Sequence, residues 1–137
     1  MMKRRKAREY ALQFLFQLDF LDKKIDRKDF EEFWSEKKEG KEIKEFTEGL
    51  VTGTLENLNE IDQMIERVTD NWLLKRMAAV DRNILRFAAY EIIFKKDIPS
   101  AVTINEAIEI AKKYSSTEAA SFLNGVLDRL AKVVGKA

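Results

Sequence analysis

The stretch VDRNILRFAAYEII, residues 80–93, is apolar on most of its sides when it is written as a helix. A surface helix carries its apolar residues along one stripe only, so this pattern indicates a helix at the centre of a bundle. The sequence DIPS at 97–100 ends the helix, because the residue before a proline is pushed out of the helical region. We expect this helix to form the core of the second half of the chain.

Two more helices are predicted after this stop. Thr103 and Glu106 have the spacing of a capping box for a helix over 104–114. Ser115 and Glu118 have the same spacing and would begin the last helix. The buried face of the last helix is predicted from its apolar stripe: Leu123, Val126, Leu127 and Leu130.

Four helices are predicted before residue 80. Their expected ranges are about Lys3 to Leu21, Asp26 to near Gly40, Glu42 to Leu58, and a fourth, capped by Asn57 or Asn59, that runs through Val68. A break is expected around Asn71, Trp72 and Leu73. Gly49 and Gly53 lie one turn apart on the third helix. Each glycine inside a helix destabilises it by about 1 kcal/mol relative to alanine. We interpret them as small residues that admit a close neighbouring helix, in preference to a ligand contact.

The composition is typical of an all-α protein. The 137 residues include five glycines and one proline, which leaves few turn makers. Seven helices with short links account for the chain, and we predict that residues 1–137 form a single helical domain. No apolar run approaches about 18 residues, so we expect a soluble cytoplasmic protein that does not enter the membrane.

Catalysis is not expected. The chain contains no cysteine and no histidine. Thiolate nucleophiles, imidazole acid–base chemistry and Cys/His zinc sites are therefore excluded. The carboxylates show no metal-binding spacing, and no glycine-rich phosphate loop is present. These absences predict a non-catalytic protein without a metal or cofactor.

Positive charge is concentrated at the start of the chain. Five of the six residues 3–8 are basic, although the formal net charge is only +1. Without those five, the chain has 20 basic and 24 acidic residues, a balance of −4. One end is therefore predicted to meet an anionic partner.

Helix one also places an aromatic ring away from its apolar stripe. At about 100° per residue, with Ala7 as zero, Phe16 falls near 180°, with Arg5 and Leu12 beside it and Arg8 near 100°. An aromatic ring beside guanidinium groups suits single-stranded RNA, whose bases stack while its phosphates bind cations. A second possibility is that helix one is central and Phe16 packs against another neighbour. Geometry alone leaves both open.

Phe122 on the last helix lies beside the core stripe. Glu118 and Arg129 flank it, and Gly125 is close by. Taken alone, this pattern favours a residue at the edge of the core, with Gly125 as a packing glycine.

Four segments together resemble the NusB family of bacterial transcription antitermination factors. They are AREYALQ at 7–13, VDRNILRFAAYE at 80–91, VTINEAIEIAK at 102–112 and FLNGVLD at 122–128. The order is that of the family and the resemblance spans nearly the whole chain. INEAIE followed by FLNGVLD is its most specific part.

The resemblance implies a fold, a function and partners. NusB proteins are expected to consist of two small packed helical bundles. They are expected to bind boxA-containing single-stranded RNA together with the ribosomal protein NusE, as a monomer or a homodimer. With RNA polymerase and other Nus factors, they help transcription read through terminators, notably in ribosomal RNA operons.

The resemblance also implies site residues. Those expected to contact RNA are Lys3, Arg4, Arg5, Lys6, Arg8, Phe16, Glu118 and Phe122. Many relatives carry tyrosine where Phe16 stands, so stacking is expected there without a hydrogen bond. Met77 and Asp81 are expected on the NusE surface. A structural role is expected for the charged and polar signature residues Arg86, Glu91, Asn105 and Glu106.

Two alternatives remain. One is a helical protein-interaction module whose basic patch binds without base preference. The other is a relative of the helical RNA-binding domain of RNA cytosine methyltransferases. For that class, we expect a cofactor-binding α/β domain and a catalytic cysteine, and these 137 residues contain neither.

Overall fold

The computed structural model describes residues 2–21, 24–70 and 74–136, and every regular element in these ranges is helical. The helices are α1 (Met2–Leu21), α2 (Arg27–Trp34), α3 (Lys41–Glu56), α4 (Leu58–Val68), α5 (Ala79–Phe94), α6 (Ser100–Tyr114) and α7 (Thr117–Val133), with one 3₁₀ turn at Leu74–Arg76. The predicted all-α class and seven helices are confirmed. The predicted break at 71–73 lies outside the described residues. None of the described helices has the length and apolarity needed to cross a membrane.

Helix α5 is the centre of the molecule. It packs against α1, α3, α4, α6 and α7. Half of its sixteen residues are buried, including Ile84, Leu85, Phe87 and Ile92. Helices α6 and α7 pack on each other and on α5, whereas α3 packs mainly along α1. The prediction of a central helix over residues 80–93 is confirmed.

Aromatic side chains attach α2 to the first half of the molecule. Phe30 of α2 stacks on Phe14 of α1 with ring centroids 4.8 Å apart. Trp34 meets Tyr10 edge-to-face at 5.3 Å, and its indole N–H donates to Glu48 of α3 at 2.7 Å. These contacts hold α2 against both α1 and α3.

The second helix is shorter than predicted. Asp26 caps it as expected, because its carboxylate accepts from the backbone N–H of Asp29 at 3.1 Å. The helix ends at Trp34, before the predicted end near Gly40. Two side chains stop it by bonding its last carbonyls: Ser35 donates to Glu32 at 2.7 Å and Lys37 donates to Phe33 at 3.0 Å.

The predicted N-cap of α4 is right in position at Asn57 but makes no capping bond, and that of α7 is displaced by one residue. Asn57 stands at the start of α4, but its side-chain amide donates backwards to the carbonyl of Gly53 at 2.8 Å. Asn59 lies inside α4. Helix α7 is capped by Ser116 rather than Ser115, because the hydroxyl of Ser116 accepts from the N–H of Ala119 at 3.0 Å.

The predicted capping box of Thr103 and Glu106 is also wrong. Helix α6 begins at Ser100, directly after Pro99, so both residues lie inside it. Their side chains bind other helices: Thr103 donates to Glu91 at 2.7 Å, and Glu106 accepts from Arg5. The Thr103 hydroxyl and the Glu106 carboxylate therefore bind side chains of other helices and do not cap α6.

The two glycines of α3 differ. A Cβ on Gly53 would lie 2.2 Å from the Tyr90 ring, so the interpretation as a packing glycine is correct there. A Cβ on Gly49 would meet nothing within 4 Å, and the same holds for Gly125 on α7. Neither Gly49 nor Gly125 is a packing glycine.

Candidate nucleic-acid interface

Helix α1 has one buried and one accessible side. Six residues are buried: Ala7, Arg8, Ala11, Leu12, Phe14 and Leu15. The opposite side, which we call the outer face of α1, consists of Arg5, Lys6, Glu9, Gln13, Phe16 and Phe20. At about 100° per residue these six side chains fall within an arc of about 100°. One face therefore joins cationic groups near its start to aromatic rings near its end.

Phe16 lies on this outer face and is partly exposed. Its ring meets that of Phe20 edge-to-face, with centroids 5.1 Å apart and planes inclined by 69°. Phe20 is 69% exposed. Of the two possibilities left by the sequence, the structure therefore favours an outward-facing Phe16.

Leu12 does not belong to this face, contrary to the prediction. It is 3% exposed. On the helical wheel it lies at the boundary of the face, one turn beyond Arg8, which itself points into the core against α5. Both residues are buried within the packed helices.

The predicted RNA contact of Arg8 is also corrected by the structure. Its guanidinium donates to both oxygens of Glu91, at 2.7 and 2.8 Å, and its side chain is 2% exposed. Thr103 donates to the same carboxylate. A bidentate, buried ion pair leaves no accessible donor for a phosphate, so the structure contradicts the assignment of Arg8 to the RNA-contacting residues.

Arg5 is paired but remains accessible. It donates to the two carboxylate oxygens of Glu106 at 3.0 and 2.6 Å. This hydrogen bonding raises the pKa of the Arg5 guanidinium. The Arg5 side chain is 39% exposed, whereas that of Glu106 is 5% exposed. The pair therefore positions one guanidinium edge toward solvent.

The two lysines are held by carboxylates of other segments. Lys6 lies 2.7 Å from Glu39, and Lys3 lies 3.4 Å from Glu42 of α3. The hydrogen bond from Lys6, and then that from Tyr10, lowers the pKa of Glu39. Both lysine side chains remain more than half exposed, at 56% for Lys6 and 68% for Lys3.

Arg4 makes a different contact. Its guanidinium lies over the Phe46 ring of α3, 4.7 Å from the ring centroid. The side chain is exposed. A cation–π contact orients the guanidinium without neutralising it, so Arg4 keeps its full charge for an external anion.

A groove runs beside the start of the outer face. Its volume is about 590 Å³, and its lining residues are Lys3, Arg5, Lys6, Glu9, Ile43, Glu109 and Lys113. The carboxylate of Glu9 accepts from Lys113 at 2.8 Å and from the Tyr114 hydroxyl at 2.7 Å. The hydrogen bond that Lys113 donates to Glu9 raises the pKa of Lys113. Lys113 therefore offsets the negative charge that Glu9 places on the face.

Tyr114 is the last residue of α6 and contacts α1. Its bond to Glu9 ties the end of α6 to the outer face, and α7 begins three residues later. Glu118 and Phe122 on α7 are both exposed, Phe122 by 43%. Phe122 is thus not a residue of the core edge. Tyr114 is itself 37% exposed and was missed in the sequence. The signal for it was an aromatic residue that directly follows Lys112 and Lys113 at a helix end.

The profile of the NusB family matches residues 5–132. The chain belongs to the NusB family. The transcription antitermination protein NusB of Thermodesulfovibrio yellowstonii is 49% identical, with 96% of this chain and 93% of the relative covered. The NusB protein of Bacillus licheniformis is 50% identical, with 94% of this chain and 96% of the relative covered.

Solved NusB structures have the same fold. T. maritima NusB superimposes with a TM-score of 0.84 at 44% identity, over 94% of this chain and 90% of that chain. A structure of the antitermination factors NusB and NusE in complex with dsRNA gives a TM-score of 0.86 at 30% identity, over 97% and 98%. These similarities confirm the predicted NusB-like fold. The prediction that the chain is not an enzyme is also confirmed, because NusB relatives are antitermination factors.

The polar residues of the NusB signature are mostly structural, as predicted. Arg86 donates to both oxygens of Asp62, at 3.0 and 2.9 Å, and also contacts Asp19. Glu91 binds Arg8 of α1, and Glu106 binds Arg5. Asn105 differs, because its side chain is exposed on α6.

The two residues predicted to meet NusE lie together at the start of α5. Met77 and Asp81 are both partly buried. Among the described atoms, one carboxylate oxygen of Asp81 is buried without a hydrogen-bond partner. This region adjoins the far end of α1, because Arg82 donates to Asp19 at 2.9 and 3.1 Å. The described contacts thus separate it from the basic end.

Proposed function

We propose that this chain is a non-catalytic transcription antitermination factor. It binds boxA-containing single-stranded RNA together with ribosomal protein NusE, and helps RNA polymerase and other Nus factors read through terminators, notably in ribosomal RNA operons. Residues 1–137 act as one cytoplasmic domain. The observation that carries this proposal is the outer face of α1, where accessible basic groups, a partly exposed ring and an exposed ring follow one another on a single helix.

The basic groups suit phosphate binding even though most of them have internal partners. The Lys3–Glu42 pair is exposed on both sides. An exposed ion pair stabilises the folded protein by only about 0–1 kcal/mol. Lys3 can therefore exchange Glu42 for an RNA phosphate at little cost in stability. Arg4 has a ring as its described partner and is oriented without being neutralised. We therefore place Lys3, Arg4, Arg5 and Lys6 along the RNA backbone.

The solvent-accessible rings favour unpaired bases. Stacking on an aromatic side chain requires a base whose face is free, which a duplex does not offer along its length. Phe16 and Phe122 are the rings assigned to bases, and Glu118 stands one turn before Phe122. A carboxylate at this position can accept a hydrogen bond from a base amino group.

Duplex RNA is the second candidate ligand. The observation that favours it is the related complex of NusB and NusE, which contains dsRNA. In that case the four basic residues would contact phosphates and the rings would contribute little to affinity. The same related complex supports NusE as a partner of this chain. We assign Met77 and Asp81 to that contact.

The test is fluorescence anisotropy with boxA RNA, scrambled RNA of equal length and a duplex of the same sequence, each with and without the organism's own NusE. We expect preference for single-stranded boxA RNA and a further gain in affinity when NusE is present. Equal, salt-sensitive binding to all three RNAs without a NusE effect would contradict the proposal and would support the nonspecific basic module. Sedimentation velocity on the same samples distinguishes monomer from homodimer.

A further inference from the structure

Phe20 is the most exposed large apolar side chain among the described residues. It is 69% exposed, and its described ring contact is with Phe16. A ring that is left in solvent contributes little to folding, since burial of apolar surface is what stabilises the folded state. It is not an isolated exposed residue, because its ring contacts Phe16, and adjoining accessible apolar side chains are a feature of interaction surfaces.

The position of Phe20 links it to the proposed RNA face. On the helical wheel it lies about 40° from Phe16 and one turn further along α1. Arg5 and Lys6 lie on the same face nearer the start of the helix. A strand that contacts the basic groups and reaches Phe16 would meet Phe20 next.

The angle between the two rings determines what they can hold. Their planes are inclined by 69° and their centroids are 5.1 Å apart. One planar base cannot lie flat on two surfaces at that angle. Two bases can, provided that they are unstacked from each other, as bases are when a protein recognises single-stranded RNA.

We propose that Phe16 and Phe20 form a two-ring platform that takes two consecutive, unstacked bases of one RNA strand. This inference rests on the proposed function and extends it by assigning Phe20 as a further RNA-contacting residue. An RNA strand is favoured over a protein partner because the rings continue a face that begins with cationic side chains.

The test is an abasic scan of single-stranded boxA RNA, read by anisotropy. For the unmodified protein, removal of a base should weaken binding about tenfold at each of two adjacent positions assigned to this platform. Phe20→Ala should abolish the penalty at one of these positions and keep it at the other. Phe16→Ala should show the opposite pattern.

Leu21→Ala is the matched control. Leu21 is 59% exposed and adjacent to Phe20, but it carries no ring and points about 100° away on the wheel. Its replacement should leave the scan unchanged. Thermal melts of all three variants should agree with that of the unmodified protein, because none of these side chains is buried in the core.

The outcomes separate the two proposals. If Phe16→Ala loses affinity but Phe20→Ala leaves every position of the scan unchanged, the platform is wrong and the proposed function stands. If the unmodified protein binds scrambled RNA equally well, the proposed function itself fails. A dimer of the free protein that Phe20→Ala dissociates, with no change in the scan, would assign the ring to a second copy and overturn the inference.

Discussion

Arg8 of α1 and Glu91 of α5 form a buried ion pair with two hydrogen bonds, although they are 83 positions apart in the sequence. Both side chains are almost completely inaccessible, at 2% and 0% exposure. Glu91 also accepts from Thr103 of α6. A single carboxylate therefore connects three helices at the centre of the fold.

Removing one member of this pair should be costly. We expect Arg8→Met to lower the free energy of unfolding by about 3–5 kcal/mol, because Glu91 would stay buried without its counter-charge. Urea denaturation of the variant measures this loss. The double variant Arg8→Met, Glu91→Leu should recover much of it, since no unpaired charge remains. An Arg8→Met protein with unchanged stability and weakened RNA binding would return Arg8 to the RNA-contacting residues.

Phe16→Ala should weaken RNA binding without unfolding the protein. A base that stacks on the ring contributes about 1–3 kcal/mol of binding free energy, and the ring lies on the outer face. The matched control is Phe14→Ala, because Phe14 is 4% exposed and stacks on Phe30. That control should cost about 3–5 kcal/mol of stability. A large fall in melting temperature for Phe16→Ala would show that its ring belongs to the core.

Arg4→Ala should reduce the salt dependence of RNA binding. Each lost phosphate contact flattens the slope of log affinity against log salt by about 0.7 for a single strand. Lys28→Ala on α2 is the control, since that lysine is exposed on a different helix. An unchanged slope for Arg4→Ala would remove Arg4 from the interface. Arg5→Ala is a less clean probe, because it would also remove both short hydrogen bonds of the buried Glu106 and leave it with Arg8 at 3.8 Å.

The two glycines of α3 predict opposite effects on stability. Gly53→Ala should destabilise the protein by about 1–3 kcal/mol, because the new Cβ would lie 2.2 Å from the Tyr90 ring and force it to shift. Gly49→Ala should stabilise it by about 0.5–1 kcal/mol, because that site is open and alanine favours the helix. Thermal melts of both variants provide the test. Equal effects of the two substitutions would contradict the close packing assigned to Gly53.

Stability should fall in acid because of two glutamates. A hydrogen bond from Arg27, with a further one from Trp34, lowers the pKa of Glu48. Bonds from Lys6 and Tyr10 lower that of Glu39. A carboxyl group whose pKa is lower in the folded state stabilises the protein above its unfolded pKa of about 4.3. This stabilisation is lost as the pH falls through the folded-state pKa.

Urea denaturation between about pH 3 and pH 7 measures this loss. Glu48→Gln should make the dependence of the free energy of unfolding on pH less steep below about pH 4.3, since one linked proton is removed. Glu36→Gln, at an exposed glutamate just after α2, is the control and should leave the curve unchanged. Identical curves for the two variants would show that the Glu48 bonds do not contribute to stability.

The sequence predicted helices well and their side-chain partners poorly. The central helix was recognisable because burial on all sides leaves an apolar pattern that needs no knowledge of the neighbours. Thr103 and Glu106 could not be placed, since the capping spacing is local whereas Glu91 and Arg5 are supplied by other helices. Helix ends shifted for the same reason.

The basic residues at the start of α1 show the same limit of sequence-based prediction at the candidate site. A helical wheel gives the direction of Arg8 but cannot tell whether solvent or a buried carboxylate lies there. Phe16 was ambiguous on the wheel for the same reason, and the observed packing shows it to face outward. The assignment of individual residues to RNA stays a prediction.

The ion pairs of Arg5 and Arg8 also fix how α1 can sit. Two bidentate bonds, three residues apart, hold this helix against α5 and α6 in one register. At about 1.5 Å per residue, the eleven steps from Arg5 to Phe16 then separate their backbone positions by about 17 Å along the helix axis. The helix therefore keeps this distance constant. A strand would be selected by the distance between a phosphate and an unpaired base, as well as by the identity of that base.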